Sequence, residues 1–325
     1  MPRLSAVLAG VFLSACATVA PTPRALPAAF PLPDEVAHEE GTFPGAGGLQ
    51  LFHQRWGPKE GPVRGALVVV HGLKDHSGRY AQFAAGLARQ GFAVYAFDLR
   101  GHGRSDGERV AVDVFDDYLR DLGAFVDRVR VLERGKPLFV FGHSMGGAIV
   151  ALYAMTRQPY VQGVILSAPA IKVDVSGVTV DATLLLAELL PDLPLLALSA
   201  EDCSRDAAVV QEQKGDPLVF QPAGPARTAA ELFRAMHRID QRAEDLNVPV
   251  LLLHGTADRV TDPRGSAALL DASRSADKTL KVYPGLFHDL LHEPERAQVA
   301  SDIALWLLAR SSFDAARPLG NNSQP

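Results

Sequence analysis

Short continuous apolar runs alternate, in the first half of the chain, with segments whose apolar residues recur at helical spacing. The runs are residues 66–70, 92–97 and 138–141, and the helical patterns between them cover 79–90 and 114–133. A strand that is apolar on both faces lies inside a sheet covered on both sides. Strands that alternate with helices are typical of a mostly parallel sheet. The pattern therefore predicts an α/β fold with helices on both faces of the sheet.

The alternation stops after residue 169 and resumes near residue 248. We interpret 35–169 and 248–314 as two halves of one core, and 170–247 as an insertion that lies over the carboxyl edge of the sheet as a lid. Within it, the leucine-rich run 184–198 predicts an apolar helical patch. Such a run either forms the lid's own core, or lines an acyl pocket or touches a membrane.

The remaining strands and helices are predicted from shorter or less regular apolar patterns. Two extended segments within 39–56 predict an antiparallel hairpin that leads into the sheet. The other predicted elements are a strand at 161–166, a helix at 228–242 in the lid, a helix at 264–272, a strand at 279–283 and a closing helix at 294–310.

The two ends of the chain differ in composition from the body. Residues 1–15 have a short basic start and an apolar stretch too brief to span a bilayer, as in a signal peptide. Leu13-Ser14-Ala15-Cys16 resembles the lipobox of bacterial lipoproteins, in which Cys16 would be lipidated; the alternative is an ordinary secretory signal cleaved nearby. The proline-rich segment 16–34 predicts a semi-rigid tether, and 315–325 predicts a disordered tail.

Charge and cysteine content limit the partners and the compartment. The formal net charge is −5 and basic residues form no run, which argues against a nucleic-acid partner. Lipidation of Cys16 predicts a location in the bacterial cell envelope, with Ala17 after it favouring the outer membrane. Because Cys203 is the other cysteine, lipidation of Cys16 would leave no intramolecular disulfide.

A candidate nucleophile follows the third of the apolar strands. The sequence Gly142-His143-Ser144-Met145-Gly146 has the G-x-S-x-G pattern, placed between a predicted strand and a small-residue helical run. In this context the serine occupies a strained turn, and its neighbours two positions away must be small. The hydroxyl then lies at a helix N-terminus, where backbone N–H groups favour negative charge. We interpret Ser144 as a nucleophile.

A serine nucleophile needs a base, an acid that orients the base, and donors for the oxyanion. Asp258 lies at the carboxyl edge of the resumed strand and is the favoured acid, whereas Asp262 precedes Pro263 and is expected to cap a helix. His288 follows the last strand directly and is the favoured base over His292, one helical turn later. The remaining candidates are expected to be surface or structural histidines: His38, His53, His237 and His254.

The oxyanion donors are expected to be backbone N–H groups. One belongs to Met145, the residue after the nucleophile, and the other to Leu73, in the loop that follows the first apolar strand. Neither a metal nor an organic cofactor is needed for this chemistry.

Several long motifs resemble one branch of a known superfamily. Segments 71–80, 98–107, 142–147 and 257–259 are similar to those of the monoacylglycerol lipase and lysophospholipase branch of the α/β-hydrolases. The resemblance implies the α/β-hydrolase fold and the triad Ser144, Asp258 and His288. It also implies that Arg79 and His143 line the polar end of the site, where a glycerol head group would lie. The loop 98–107 is expected to be a structural turn.

We therefore expect a membrane-tethered serine hydrolase that cleaves esters of single-chain acyl lipids, monoacylglycerol first and lysophospholipid second. The expected membrane contacts are the lipid anchor and, in one interpretation, the lid. The alternatives are a generalist carboxylesterase, a peptidase that acts on an N-terminal residue, and a non-catalytic surface lipoprotein. The pattern makes no prediction of the oligomeric state.

Overall fold

The computed structural model describes residues 30–157 and 159–311. The predicted signal peptide, Cys16, most of the predicted tether and the tail 315–325 lie outside the described residues. Within the described chain, no helix is long and apolar enough to cross a membrane.

An eight-stranded sheet forms the centre of the molecule, with a two-stranded pair outside it. The strands, numbered along the chain, are β1 (Val36–Pro44), β2 (Gln50–Pro58), β3 (Gly65–Val70), β4 (Phe92–Phe97), β5 (Leu138–His143), β6 (Gly163–Ser167), β7 (Pro194–Leu196), β8 (Gly224–Pro225), β9 (Val250–Gly255) and β10 (Lys278–Tyr283). The order in the main sheet is β1-β2-β4-β3-β5-β6-β9-β10. Within the main sheet, the neighbouring pairs along β4-β3-β5-β6-β9-β10 are parallel, and the β1–β2 and β2–β4 pairs are antiparallel. The separate β7–β8 pair is also antiparallel.

Helices cover both faces of this sheet because its inner strands are apolar on both sides. The helices are α1 (Ala81–Ala88), α2 (Asp116–Leu132), α3 (Met145–Arg157), α4 (Gly177–Leu189), α5 (Ala200–Cys203), α6 (Ala207–Gly215), α7 (Ala226–Gln241), α8 (Pro263–Ala272) and α9 (Arg296–Arg310). In β3, Val68 and Val70 join the core beneath α2, α3 and α8. Their neighbours Leu67 and Val69 join the core beneath α1 and α9. This alternation is the period of two expected of a strand covered on both faces.

Most predicted elements agree with the structure to within a few residues. The predicted hairpin is β1–β2, and β4 coincides with the predicted strand at 92–97. The predicted helix at 79–90 begins later, as α1 at Ala81, because a 3₁₀ turn at Ser77–Tyr80 precedes it, capped by His76.

The segment predicted as a lid contains α4 to α7 and the β7–β8 pair. The predicted helical patch at 184–198 is wrong in its second half, because α4 ends at Leu189 and β7 pairs with β8 from Pro194. Pro191 and Pro194 cannot continue a helix, which explains the break. α4 packs against α7 but has no buried residue. Several large apolar side chains of α4 and of the segment after it are exposed, namely Val178, Leu185, Leu189, Leu190 and Leu195.

Candidate active site

Ser144 lies on the sharp turn between β5 and α3. Its φ of 54° is in the left-handed region. The turn is held by the Ser144 N–H, which donates to the carbonyl of Ser167 (3.0 Å), and by the Ser144 carbonyl, which accepts from the N–H of Ala170 (2.9 Å). A Cβ on Gly142 would overlap the Gly146 carbonyl, and a Cβ on Gly146 would overlap the Val70 carbonyl. The two glycines are therefore required by the close approach of the backbone around the serine.

The structure brings Asp258 and His288 into direct contact. Asp258 Oδ2 lies 2.8 Å from His288 Nδ1, and its Oδ1 accepts the N–H groups of Val260 (2.8 Å) and Thr261 (2.9 Å). Burial alone would raise the pKa of Asp258, but the neighbouring His288 and these hydrogen bonds hold it well below its ordinary value. An ionised Asp258 can only accept hydrogen bonds, so Nδ1 of His288 carries a proton.

The other ring nitrogen of His288 is then free to act as a base. His288 Nε2 is buried and has no hydrogen-bond partner among the described residues. The ring of His288 lies 4.8 Å, centroid to centroid, from the ring of His143, the residue directly before the nucleophile. No hydrogen bond joins Ser144 Oγ to His288 Nε2 in this structure. Catalytic hydrogen bonds often tighten only when substrate is bound, so the absence of this bond does not exclude His288 as the base.

The loop after β3 passes directly beside the nucleophile. A Cβ on Gly72 would lie 3.2 Å from Ser144 Cβ, so this loop brings Leu73 to the serine. The next residue, Lys74, has a φ of 65°. Met145 is the first residue of α3, where helix N–H groups lack partners within the helix. The two predicted oxyanion donors are thus backbone groups on segments that meet at Ser144.

Arg79 and His143 lie together at one end of this site, in a cluster of buried charge. The Arg79 guanidinium contacts Asp75 Oδ1 (3.1 Å) and Asp289 Oδ2 (3.5 Å), and Asp289 Oδ1 lies 4.0 Å from His143 Nε2. Burial lowers the pKa of His143 to about 4, so its ring is neutral at pH 7. The pKa of Asp289 is well below its ordinary value; burial opposes this, but His292, His143 and Arg79 prevail.

Sequence reasoning missed both carboxylates of this cluster. The sequence signal for these two carboxylates was their spacing from other site residues. Asp289 directly follows the predicted base, and Asp75 lies four residues before Arg79. His292 takes a structural position, as predicted, with Nδ1 2.8 Å from Asp289 Oδ1 and Nε2 3.1 Å from the Arg79 carbonyl.

Two other residues near the acid have clear positions. Asp262 caps α8 as predicted, because its side chain accepts the N–H of Arg264. His254 was predicted to be a surface or a structural histidine, and its position is structural: its ring is buried with Nε2 3.0 Å from Asp258 Oδ2. The acid therefore has a second imidazole beside it.

A mostly parallel sheet, a nucleophile elbow after β5, and an acid and a histidine after β9 and β10 define an α/β-hydrolase. The family model described as serine aminopeptidase, S33, matches residues 61–295, and the chain belongs to this family.

Relatives with assigned names match over most of their length. The chain is 39% identical over 279 residues to the monoacylglycerol lipase of Mycolicibacterium smegmatis, covering 83% of this chain and 97% of that protein. It is 35% identical over 296 residues to the human monoglyceride lipase, covering 90% and 96%. The crystal structure of Paleococcus ferrophilus monoacylglycerol lipase superposes with a TM-score of 0.72 at 34% identity, covering 80% of this chain and 99% of that one. Family, fold and relatives agree on a serine ester hydrolase.

Proposed function

We propose that the protein hydrolyses carboxylic esters of single-chain acyl lipids, with monoacylglycerol as the preferred substrate and lysophospholipid second. The observation that carries this proposal is the match, over nearly their full length, to relatives named monoacylglycerol lipase. An aminopeptidase, the activity named in the family description, is a weaker candidate. The two relatives and the superposed structure are all named monoacylglycerol or monoglyceride lipases.

The proposed reaction uses the residues around Ser144 in order. His288 Nε2 takes the proton of Ser144 Oγ as that oxygen attacks the ester carbonyl carbon. The backbone N–H groups of Leu73 and Met145 hold the resulting oxyanion, and Asp258 stabilises the imidazolium. The C–O bond of the ester then breaks, and His288 returns the proton to the leaving glycerol. Water, activated by His288, hydrolyses the acyl-enzyme and releases the fatty acid.

The charge cluster at the polar end favours a neutral head group. The Arg79 guanidinium is already paired with the carboxylates of Asp75 and Asp289, so it has no free charge to offer a phosphate. Arg79, Asp75 and Asp289 together carry no net positive charge and His143 is neutral, so these residues do not favour an anionic head group. The glycerol of a monoacylglycerol carries only hydroxyl groups, which these polar side chains can hydrogen-bond.

The exposed face of α4 supports contact with a lipid surface. Val178 and Leu189 are 79% and 67% exposed, in a segment where Leu185 and Leu190 are exposed as well. Contiguous exposed apolar side chains of this kind mark interaction sites. We further propose lipidation at Cys16 and a place in the bacterial cell envelope, favouring the outer membrane; both rest on the sequence pattern alone.

A substrate panel tests the lipid specificity. The full-length protein in detergent is assayed on long-chain monoacylglycerols, on matched lysophospholipids and on acetate esters. The proposal predicts the highest kcat/KM for long-chain monoacylglycerol and a lower value for the lysophospholipids. Fastest turnover of the acetates would instead support a generalist carboxylesterase.

Membrane attachment is tested separately from activity. Cys16→Ser should release the protein from membranes on cell fractionation if the cysteine is lipidated. A Cys16→Ser protein that stays membrane-bound would contradict the lipid anchor without affecting the proposed reaction.

A further inference from the structure

His254 is a buried imidazole that no step of the proposed reaction uses. It lies near the end of β9 and is fully buried. Its Nε2 lies 3.0 Å from Asp258 Oδ2 and its Nδ1 lies 2.7 Å from Ser266 Oγ, a hydroxyl on α8. Both ring nitrogens therefore have a partner, one of which is the predicted catalytic acid.

The partners of His254 determine which ring nitrogen carries the proton. Asp258 is ionised and can only accept, so the nitrogen that faces it, Nε2, is the donor. Ser266 Oγ has no other hydrogen-bond partner among the described residues, and its hydroxyl proton is satisfied by donating to Nδ1. A ring that donates from Nε2 and accepts at Nδ1 satisfies every group in this chain of contacts.

The acceptor of the His254 bond is the same oxygen that orients the base. Asp258 Oδ2 accepts from His254 Nε2 and from His288 Nδ1, and the Thr261 hydroxyl lies 2.9 Å from it. Without His254, the hydroxyl of Thr261 would be the remaining side chain that fixes Oδ2 apart from the base itself. Oδ1 would stay bound to the N–H groups of Val260 and Thr261, but Oδ2 would lose one of its donors, so the oxygen that orients His288 would be less firmly held.

We propose that His254 is a positioning residue for catalysis, which fixes Asp258 Oδ2 by donating its Nε2–H and thereby holds His288 in the orientation needed for proton transfer. This inference rests on the proposed function, since it assigns His254 a role through the Asp258–His288 pair. The competing interpretation is that His254 only fills space beneath α8.

Two substitutions of His254 separate these interpretations. The amide of glutamine extends about as far as Nε2 of histidine, so His254→Gln keeps a donor toward Asp258. The amide of asparagine reaches only the place of Nδ1, so His254→Asn keeps a group near Ser266 and loses the donor. Each variant removes the ring, and asparagine also lacks one methylene of glutamine, so the unfolding free energy of both is measured to separate lost packing from the lost donor. His237→Asn, at an exposed histidine on α7, is the matched surface control.

The expected result is a loss of kcat confined to His254→Asn. Its kcat on monoacylglycerol should fall about ten- to a hundredfold at unchanged KM, the scale of one hydrogen bond to a charged group. His254→Gln should retain kcat within about threefold of the wild type, less than the loss of one neutral hydrogen bond. Equal kcat values for the two variants, whether both high or both low, would overturn the proposal.

A third variant keeps the test decisive where a His254 variant fails to fold. Ser266→Ala removes the partner of Nδ1, one of the two hydrogen bonds that hold the ring, so the Nε2–H is less firmly aimed at Asp258. Its kcat should fall about two- to tenfold at unchanged KM, and an unchanged kcat would contradict the proposal. Ser144→Ala is assayed alongside. Turnover that survives in Ser144→Ala would contradict the proposed function. An inactive Ser144→Ala together with a fully active His254→Asn would contradict only the role of His254.

Discussion

At the scale of single residues, the site depends on backbone geometry that few side chains permit. Ser144 has a φ of 54° in a region costly for non-glycine residues, of order 1–3 kcal/mol, and persists only because its surroundings fix it. Gly142 and Gly146 are fixed by contact with neighbouring carbonyls and not by their own φ. The motif G-x-S-x-G is therefore a steric requirement of the turn.

Gly142→Ala tests that requirement. The added methyl group would meet backbone atoms of Gly146 and Gly147, so we expect a loss of about 2–3 kcal/mol in the free energy of unfolding. Gly86→Ala is the matched control, because its Cβ would meet nothing within 4 Å at an exposed position of α1, and it should gain about 0.5–1 kcal/mol. Urea denaturation measures both, and a Gly142→Ala protein as stable as the wild type would contradict the steric account.

At the scale of elements, the lid segment is tied to the loop that carries the predicted oxyanion donor. His76 Nε2 lies 2.8 Å from Asp216 Oδ2, and both side chains are buried. The Phe220 N–H donates to the carbonyl of Lys74 (3.1 Å), next to Leu73. These contacts fix a loop whose backbone at Lys74 has positive φ. The insertion thus supports the loop that carries the predicted donor.

Asp216→Ala should therefore reduce turnover without removing any group that touches substrate. Loosening the loop should lower kcat about tenfold at unchanged KM, a fraction of the hundred- to thousandfold loss typical when an oxyanion donor is removed. Asp181→Ala, at an exposed carboxylate on α4, is the control for charge on the lid segment. If steady-state kinetics give both variants the wild-type kcat, the contact between His76 and Asp216 does not contribute to turnover.

An element could be predicted from the sequence where a local pattern of residues is enough to form it. β3, β4 and β5 are continuous apolar runs buried on both faces, and a local pattern suffices to find them. The end of α4 was misplaced because the leucine run continues past the two prolines, whereas the helix cannot. Asp289 was missed because its partner Arg79 lies 210 positions away and is brought to it by tertiary folding. The contact of His254 was missed although Asp258 is only four positions away, because the sequence pattern does not show that the turn after β9 brings the carboxylate back to the ring. The sequence could place the triad candidates in order but not the buried charges around them.

At the scale of the whole molecule, buried neutral histidines make stability depend on pH. Burial lowers the pKa of His143 to about 4 and that of His102 to about 3, against an ordinary value of 6.5. Between these values and 6.5 the unfolded chain binds more protons than the folded one, so stability falls as pH falls. His76 acts oppositely, since its pKa is raised, chiefly by Asp216 against the effect of burial.

The net expectation is a protein that is less stable at pH 5 than at pH 7. Urea midpoints at the two pH values measure this, and His102→Asn should shrink the difference because it removes one of the groups that titrate. Equal midpoints at both pH values would contradict the buried neutral state of these histidines.

The central claim is that Ser144 is the nucleophile of a monoacylglycerol hydrolase. Its most direct test combines a fluorophosphonate probe, with the adduct mapped by mass spectrometry, and fatty-acid release from a long-chain monoacylglycerol. The account predicts a single adduct on Ser144 of the folded wild type, and loss of both adduct and fatty-acid release in Ser144→Ala. Fatty-acid release that survives in Ser144→Ala, or a wild type that forms no adduct at this serine, would contradict it.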